Sequence, residues 1–160
     1  MKNVNYITRS AAIAALYVAL TLVANMFGMA SGVIQVRISE ALTVLPYFTP
    51  CAIPGLFIGC FFANLFTSAA PLDVLFGSLA TLAGAFGTYA LRRKSKYLAP
   101  LPPIVANIAI VPLVLKNVYG VGDGWWYLAL TVGIGEVISC GILGIVLIKA
   151  IEKRGNLFLK

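Results

Sequence analysis

The sequence predicts an all-α integral membrane protein, folded as a compact bundle of six transmembrane helices. Of the 160 residues, 61% are hydrophobic and 11% are charged, whereas charged residues make up about 25% of an average soluble domain. The mean hydropathy is +0.96. Six apolar runs alternate with clusters of glycine, proline and charged residues. Because this length suits one compact domain, we expect a single transmembrane domain over residues 1–160.

The apolar runs and their boundaries place the six spans. The first is expected to be a span rather than a cleaved signal, because no small-residue cleavage site follows it. The second is short and closed by prolines, and the fourth is rich in small residues that allow close helix packing. The fifth begins after a proline cluster. The predicted spans are 8–26, 38–49, 52–66, 73–91, 104–116 and 127–149.

The cations between the spans predict the orientation in the membrane. With a cytoplasmic N-terminus and six spans, ten of the twelve lysines and arginines lie on the inner side. Only Arg37 and Lys116 then lie toward the outer face. This distribution follows the positive-inside rule, so both termini are expected to be cytoplasmic and the protein to reside in the cell membrane. Arg37 and Asp73 would then lie at the outer ends of their spans, and Glu40 about one turn deeper.

A pair of opposite charges, Arg37 and Glu40, begins the second span. Residues three apart lie on one face of a helix, and a charge inside the bilayer costs about 2.5–3.5 kcal/mol or more. Two interpretations stay open. The pair is either a structural ion pair at the membrane rim or part of a polar ligand site. We favour the ligand site, because the chain has only five acidic residues and one of them lies here.

Two further carboxylates are candidates for the same site. Glu136 falls about ten residues into the last span, where an ionisable residue is by default a functional-site hypothesis. Its alternative is a protonated, hydrogen-bonded packing residue. Asp73 begins the fourth span, where it could bind a ligand or stabilise the N-terminus of the helix.

Amide and aromatic side chains complete the set of candidate ligand-binding residues. The amides could meet polar edges of a ligand, and the aromatic rings could stack on a flat heterocycle. The predicted substrate-binding residues are Arg37, Glu40, Asn64, Asp73, Asn107, Asn117, Tyr119, Trp125, Trp126 and Glu136.

The composition argues against an enzyme. The chain has no histidine, which is the commonest general base and metal ligand. Cys51, Cys60 and Cys140 lie in apolar runs and are expected to be small core residues. No phosphate-binding glycine loop follows a strand. We therefore expect no catalytic residue, no metal, no cofactor and no nucleic-acid partner.

A strip of alanines follows one face of the first span. Ala11, Ala15 and Ala19 recur every four residues, and small residues at this spacing let another helix approach closely. Alanine is also common in membrane spans, so ordinary packing is the alternative.

Several motifs resemble the QueT family. The run from Gln35 to Pro46 is similar to its signature, as are the runs 54–59 and 76–82. Asn64 and Asp73 accompany those runs. The remaining matching motifs are 99–103 with Asn107, Tyr119-Gly120 and Gly135-Glu136.

This resemblance implies a substrate-binding (S) component of an energy-coupling factor (ECF) transporter. Such a protein binds its ligand near the outer face and topples on a transmembrane coupling protein and two ATPases to release it inside. The implied ligand is a queuosine precursor, a 7-deazaguanine such as preQ1, preQ0 or queuine. The alanine strip would be the docking face for the coupling protein. An S component for another vitamin-like heterocycle, and a self-sufficient channel or exporter, remain the alternatives.

Within this family, the carboxylates acquire specific expected roles. Glu136 or Glu40 would accept paired N–H donors of the deazaguanine, since one carboxylate offers two acceptors. Arg37 would fix Glu40 or face the ring carbonyl. Asp73 would hold a cationic substituent.

Overall fold

The structure is a computed structural model that describes residues 2–28, 35–67 and 69–154. These residues form helices and connecting turns, without a strand, which confirms the predicted all-α membrane bundle. A 3-10 helix accompanies five α-helices, and a short 3-10 turn precedes α4. The bounds are α1 Lys2–Met26, the 3-10 helix Ile38–Tyr47, α2 Ala52–Phe66, α3 Pro71–Leu91, α4 Leu101–Asn117 and α5 Trp125–Lys153, within which Val137–Leu143 is a π-helical segment.

Four of these helices are long and apolar enough to cross a membrane. They are α1, α3, α4 and α5, the candidate span of α4 including the turn before it. The 3-10 helix and α2 are shorter, about 20 Å and 22 Å at their respective rises per residue. A hydrocarbon core is about 30 Å thick. The six predicted spans therefore correspond to six helices in the described chain, of which two fall short of the full bilayer.

The helix boundaries agree with the sequence prediction to within about three residues, except at the start of the first helix and the end of the last. α1 begins at Lys2 rather than at residue 8, and α5 continues to Lys153 rather than 149. Polar residues prolong both helices. Hydropathy detects only the apolar part of such a helix, because a helix can continue into water with polar side chains.

Successive helices alternate in direction when the 3-10 helix between α1 and α2 is counted. Gly55 of α2 approaches the Ser10 carbonyl of α1, and Gly59 approaches Ala14, so these two helices run parallel. Thr81 of α3 donates to Cys60 of α2, in keeping with an antiparallel α2–α3 pair. α4 and α5 continue the alternation. One end of the bundle therefore contains the N-terminus of α1, the α3–α4 connection and the C-terminus of α5.

This end carries most of the cations, and we call it the cationic end. It includes Arg9, the cluster Arg92–Lys96 and Lys153. Lys96 Nζ forms an ion pair of 2.8 Å with Glu152, which joins the α3–α4 connection to α5. The opposite end contains the last residues of α1, α2 and α4. The grouping of cations at one end is what the positive-inside prediction requires.

The 3-10 helix is held between α1 and α5 by buried polar contacts. Thr21 of α1 donates to Ser39 at 2.8 Å, and Thr43 lies 3.0 Å from the Cys140 sulfur of α5. Runs of 3-10 helix longer than three or four residues are uncommon. π-helical segments are also rare, and those that occur are often found at functional sites. Two unusual helix segments therefore lie side by side in this bundle.

The three cysteines are buried and form no disulfide, as expected. Cys60 belongs to a core cluster with Tyr17 and Leu56, and Cys140 to a second cluster with Val44 and Ile148. Both clusters pack against the 3-10 helix, which thus lies at the centre of the bundle.

Candidate functional site

A polar pocket lies among the 3-10 helix, α2, α3, α4 and α5. Five of the predicted ligand-binding residues line it: Arg37, Glu40, Asp73, Asn107 and Glu136. The remaining lining residues are Gln35, Cys60, Gly77, Thr81, Val111 and Val132. The fold thus brings together three carboxylates, one guanidinium and one amide that are up to 99 residues apart in the chain.

Glu40 is the most deeply buried carboxylate, with 2% of its surface exposed. One of its oxygens accepts a hydrogen bond from the hydroxyl of Tyr17 on α1. The other oxygen is buried and has no hydrogen-bond partner in the described chain. Because buried polar groups are nearly always hydrogen-bonded, this oxygen is a candidate acceptor for a ligand.

Glu136 is the second buried carboxyl group and lies on the last helix. It is 8% exposed and is the last residue before the π-helical segment of α5. One of its oxygens is also buried without a partner in the described chain. Asn107 of α4, itself buried, lines the same pocket as both glutamates. Two buried carboxyl groups, each with an oxygen that lacks a partner in the described chain, thus line one pocket with an amide.

Arg37 and Glu40 form no ion pair in the part of the chain that the structure describes. Arg37 instead lines the pocket together with Glu40 and Asp73. The Arg37 backbone N–H donates to Ser139 Oγ at 3.1 Å. This contact fixes the start of the 3-10 helix to the π-helical segment.

The site lies about halfway along the long helices. Arg37 is at the start of its own short helix, as its N-cap, and its contact, Ser139, lies about halfway along α5. The hydroxyl of Tyr17 also reaches Glu40 from the middle of α1. The 3-10 helix is short, so the residues at its start contact the middle of its longer neighbours.

A wider cavity of about 400 Å³ extends from this pocket toward the end of the bundle opposite the cations. It shares Arg37 and Asp73 with the deep pocket and adds Asn64 and Tyr119. Its volume falls within the range of about 300–1,000 Å³ that is usual for small-molecule sites. The deep pocket holds only about 20 Å³, which is little more than one water molecule needs.

Asp73 and Tyr119 are joined at the mouth of these cavities. The Tyr119 hydroxyl donates to Asp73 Oδ2 at 2.8 Å and accepts from the Ala70 backbone N–H at 3.0 Å. Burial and the adjacent Asp73 carboxylate raise the pKa of Tyr119, so the phenol remains a donor. Asp73 makes no capping hydrogen bond to α3, although it lies in its first turn. It therefore faces the site and also suits the helix dipole.

The remaining candidates lie in different surroundings. Asn64 is buried beside Cys60, with its amide nitrogen 3.6 Å from the sulfur. Asn117 donates to the Leu113 carbonyl within α4 and is exposed. Trp125 and Trp126 pack edge to face with their ring centroids 4.6 Å apart, and neither lines the polar pocket. The indole N–H of Trp125 is buried without a partner in the described chain.

The alanine strip of α1 lies on the surface of the bundle. Ala11, Ala15 and Ala19 are all exposed, whereas the neighbouring Ala14 and Tyr17 are buried against α2. The strip thus takes no part in the packing of the described bundle.

Two contacts beside the pocket are not predicted from the sequence. Tyr17 positions Glu40, and Thr81 donates to Cys60 at 3.3 Å beside the pocket. A tyrosine or threonine in an apolar helix gives no signal of its own. The signal that points to Tyr17 is its hydroxyl in the middle of a span, because a polar group there needs a hydrogen-bond partner. Glu40 is a buried acceptor that can be that partner.

The chain is similar in sequence to known transport proteins. A family model described as "QueT transporter" matches residues 7–153. Over 72 residues the chain is 40% identical to the "Queuosine precursor transporter QueT" of Lactococcus lactis subsp. cremoris (strain MG1363). That match covers 45% of this chain and 42% of the relative, so it spans less than half of the relative's length. No solved structure matches the chain. The family match includes every residue of the polar pocket. Because it covers most of the chain, the chain belongs to the QueT transporter family.

Proposed function

We propose that this chain binds a queuosine precursor, a 7-deazaguanine, in the polar pocket and is the substrate-binding subunit of an ECF-type importer. The observation that carries the ligand proposal is the pair of buried carboxyl groups, Glu40 and Glu136, each with an oxygen that lacks a partner in the described chain. The family membership and the name of the Lactococcus relative support the same ligand class.

The chemistry of a guanine edge suits these groups. Such an edge presents adjacent N–H donors, and a carboxylate supplies two acceptor oxygens. Glu40 or Glu136 would accept this pair of donors. The Asn107 amide can both donate and accept, and the Arg37 guanidinium can donate to the ring carbonyl. Asp73, nearer the mouth, would hold a cationic substituent such as an aminomethyl group.

Ligand entry requires the deep pocket to widen. A heterocycle fits the outer cavity of about 400 Å³ but not the deep space of about 20 Å³ beside the two glutamates. Arg37 lines both cavities and has no ion-pair partner among the described residues. A movement of its side chain would join the two spaces and bring the ligand edge to Glu40 and Glu136.

Calorimetry with the purified protein tests the ligand proposal. The titrants are a 7-deazaguanine and the same heterocycle without its exocyclic amine. A site that hydrogen-bonds this amine should reject the analogue by on the order of 10⁴-fold, because its own acceptor is left unpaired. Equal affinity for both compounds, or no binding of either, would contradict the proposal.

The proposed transport role depends on partners. The exposed strip of Ala11, Ala15 and Ala19 is the face we propose for docking of the coupling protein, because small residues permit close helix approach. Ala15→Trp should abolish uptake in cells and leave ligand affinity unchanged. Ala83→Trp, the same change at an exposed position of α3, is the control. Normal uptake by the Ala15 variant would show that the strip docks nothing.

A self-sufficient channel or exporter is the competing function. Proteoliposomes that contain this chain alone distinguish the two. We expect them to bind the deazaguanine without moving it across the membrane. Transport by the lone protein would overturn the subunit proposal and leave the ligand proposal standing.

A further inference from the structure

Gly77 interrupts a row of polar residues on the pocket face of α3. Asp73, Gly77 and Thr81 follow one another at intervals of four residues, so they lie on one face of the helix, and all three line the deep polar pocket. This face therefore has a carboxylate at its outer end, a hydroxyl further in and bare backbone between them. The bare position is where a group on a ligand can approach the helix most closely.

Gly77 differs from the glycines that pack helices together in this bundle. A side-chain carbon added at Gly55 or Gly84 would meet the backbone of another helix at 2.6 or 2.7 Å. At Gly77 it would meet two polar side-chain atoms instead, Asn64 Nδ2 at 2.9 Å and Asp73 Oδ1 at 3.6 Å. Apart from α3's own backbone and the residues next to Gly77, the described chain places no other atom within 4 Å of that point. Gly77 thus faces the site rather than a neighbouring helix.

The two carboxylate oxygens of Asp73 face different neighbours. Oδ2 accepts the hydrogen bond from Tyr119 at 2.8 Å, whereas Oδ1 is the oxygen near Gly77. Asp73 lines both the deep pocket and the outer cavity, so its carboxylate lies where the two spaces meet. A carboxylate oxygen has two lone pairs, and a charged donor forms the stronger kind of hydrogen bond with it. Oδ1 is therefore placed to accept a hydrogen bond from a cation that lies against Gly77.

The charges around the two cavities favour a cationic group at this place. Among the described residues that line them, Arg37 is the cation, whereas Glu40, Asp73 and Glu136 carry carboxyl groups. An ammonium beside Asp73 would offset part of this excess of acidic groups. A neutral group of the same size would not.

We propose that Gly77 is a specificity-determining residue, which lets a short substituent that bears an ammonium group reach Asp73 Oδ1. This inference rests on the proposed function, because the heterocycle is first bound at Glu40 and Glu136. The substituent of a 7-deazaguanine is on the five-membered ring, away from the exocyclic amine. A side chain at position 77 would occupy the space beside Oδ1 and displace the Asn64 amide. The site thereby selects a primary amine on a short arm over a neutral substituent.

Calorimetry with three ligands tests the inference. They are unsubstituted 7-deazaguanine, its 7-aminomethyl derivative and its 7-cyano derivative, whose short substituent is neutral. The wild type should bind the aminomethyl compound at least about tenfold more tightly than the unsubstituted one, which is the effect of one charge-assisted hydrogen bond. The cyano compound should bind no more tightly than the unsubstituted one. The readout is the ratio of the affinities for the aminomethyl and the unsubstituted compounds.

Two variants and a control assign this ratio to the subsite. Gly77→Ala should lower the ratio to about one, because the added methyl group lies beside Oδ1. Asp73→Asn keeps the shape of the side chain and removes its charge. It should lower the ratio in the same way, which tests the subsite independently of any effect of Gly77→Ala on folding. Gly141→Ala is the matched control, because its methyl group would meet only side-chain carbons at 3.8 and 3.9 Å outside the polar pocket. This control should keep the wild-type ratio.

The possible failures are distinguishable. A wild-type ratio near one, with the unsubstituted compound bound, would overturn this inference and leave the proposed function standing. A wild-type ratio that persists in the Gly77→Ala variant would show that Gly77 does not control access of the substituent. Binding of none of the three compounds would overturn the proposed function, and this inference with it.

Discussion

The hydrogen bond between Tyr17 and Glu40 gives the sharpest prediction about how the site is built. Both side chains are almost completely buried, at 1% and 2% exposed. Tyr17→Phe removes the donor to one Glu40 oxygen and leaves the ring in place. The other oxygen already lacks a partner in the described chain. In the ligand-free variant, neither oxygen of the buried Glu40 carboxyl group then accepts a hydrogen bond.

The expected cost follows from the strength of such a bond. Hydrogen bonds to charged groups contribute about 1.5–3 kcal/mol, so the free energy of unfolding of the ligand-free protein should fall by about that amount. Ligand affinity should also fall, by about twofold to tenfold. Immobilising a side chain that is no longer held costs about 0.5–1.5 kcal/mol.

Denaturant titration of the purified protein measures the first effect and calorimetry the second. Tyr89→Phe is the matched control, because Tyr89 lies at the cationic end and its contact with Arg92 is through the ring face, 3.7 Å from the guanidinium carbon. We expect the free energy of unfolding of the control variant to stay within about 0.5 kcal/mol of the wild-type value. If Tyr17→Phe also stays within that limit, Tyr17 does not hold Glu40 in place.

Three further predictions concern the site, its support and the topology. Glu40→Gln and Glu136→Gln should each weaken deazaguanine binding by at least about 2 kcal/mol in calorimetry, because each spoils a charge-assisted hydrogen bond; unchanged affinity in both would make the carboxylates structural. Gly135→Ala should destabilise the protein by about 1–3 kcal/mol in denaturant titration, because the added methyl group would collide with backbone. Gly133→Ala, whose methyl group meets only a flexible side-chain end at 3.1 Å, is its control, and equal stability of the two variants would remove this explanation. A cysteine at Ser95 should react only with membrane-permeant labels in intact cells, and labelling from outside would contradict cytoplasmic termini.

The helices and the polar residues of the site could be predicted from the sequence because both rest on large energies. Burying apolar runs in lipid fixes where the spans lie. The cost of charge in the bilayer singles out Glu40 and Glu136 without any structure. Arg37, Asp73 and Asn107 join them in the pocket for the same reason, since polar groups in a membrane bundle are found facing one another.

The arrangement within the site could not be predicted in the same way. The depth of Arg37 depends on where the 3-10 helix begins relative to Ser139, and helical periodicity does not reveal that register. The π-helical segment after Glu136 has no signature in its apolar composition. The sequence predicts Trp125 and Trp126 as stacking residues, but neither lines the polar pocket. Composition does not determine which way an aromatic ring at the start of a helix points.

The most direct test of the central proposal is native mass spectrometry of the protein purified from cells supplied with a 7-deazaguanine. The account predicts one retained molecule of the deazaguanine per chain, and its loss in the Glu136→Gln variant. A wild-type protein that carries no such molecule, or a variant that retains it as well as the wild type does, would contradict the proposal that this pocket binds a queuosine precursor.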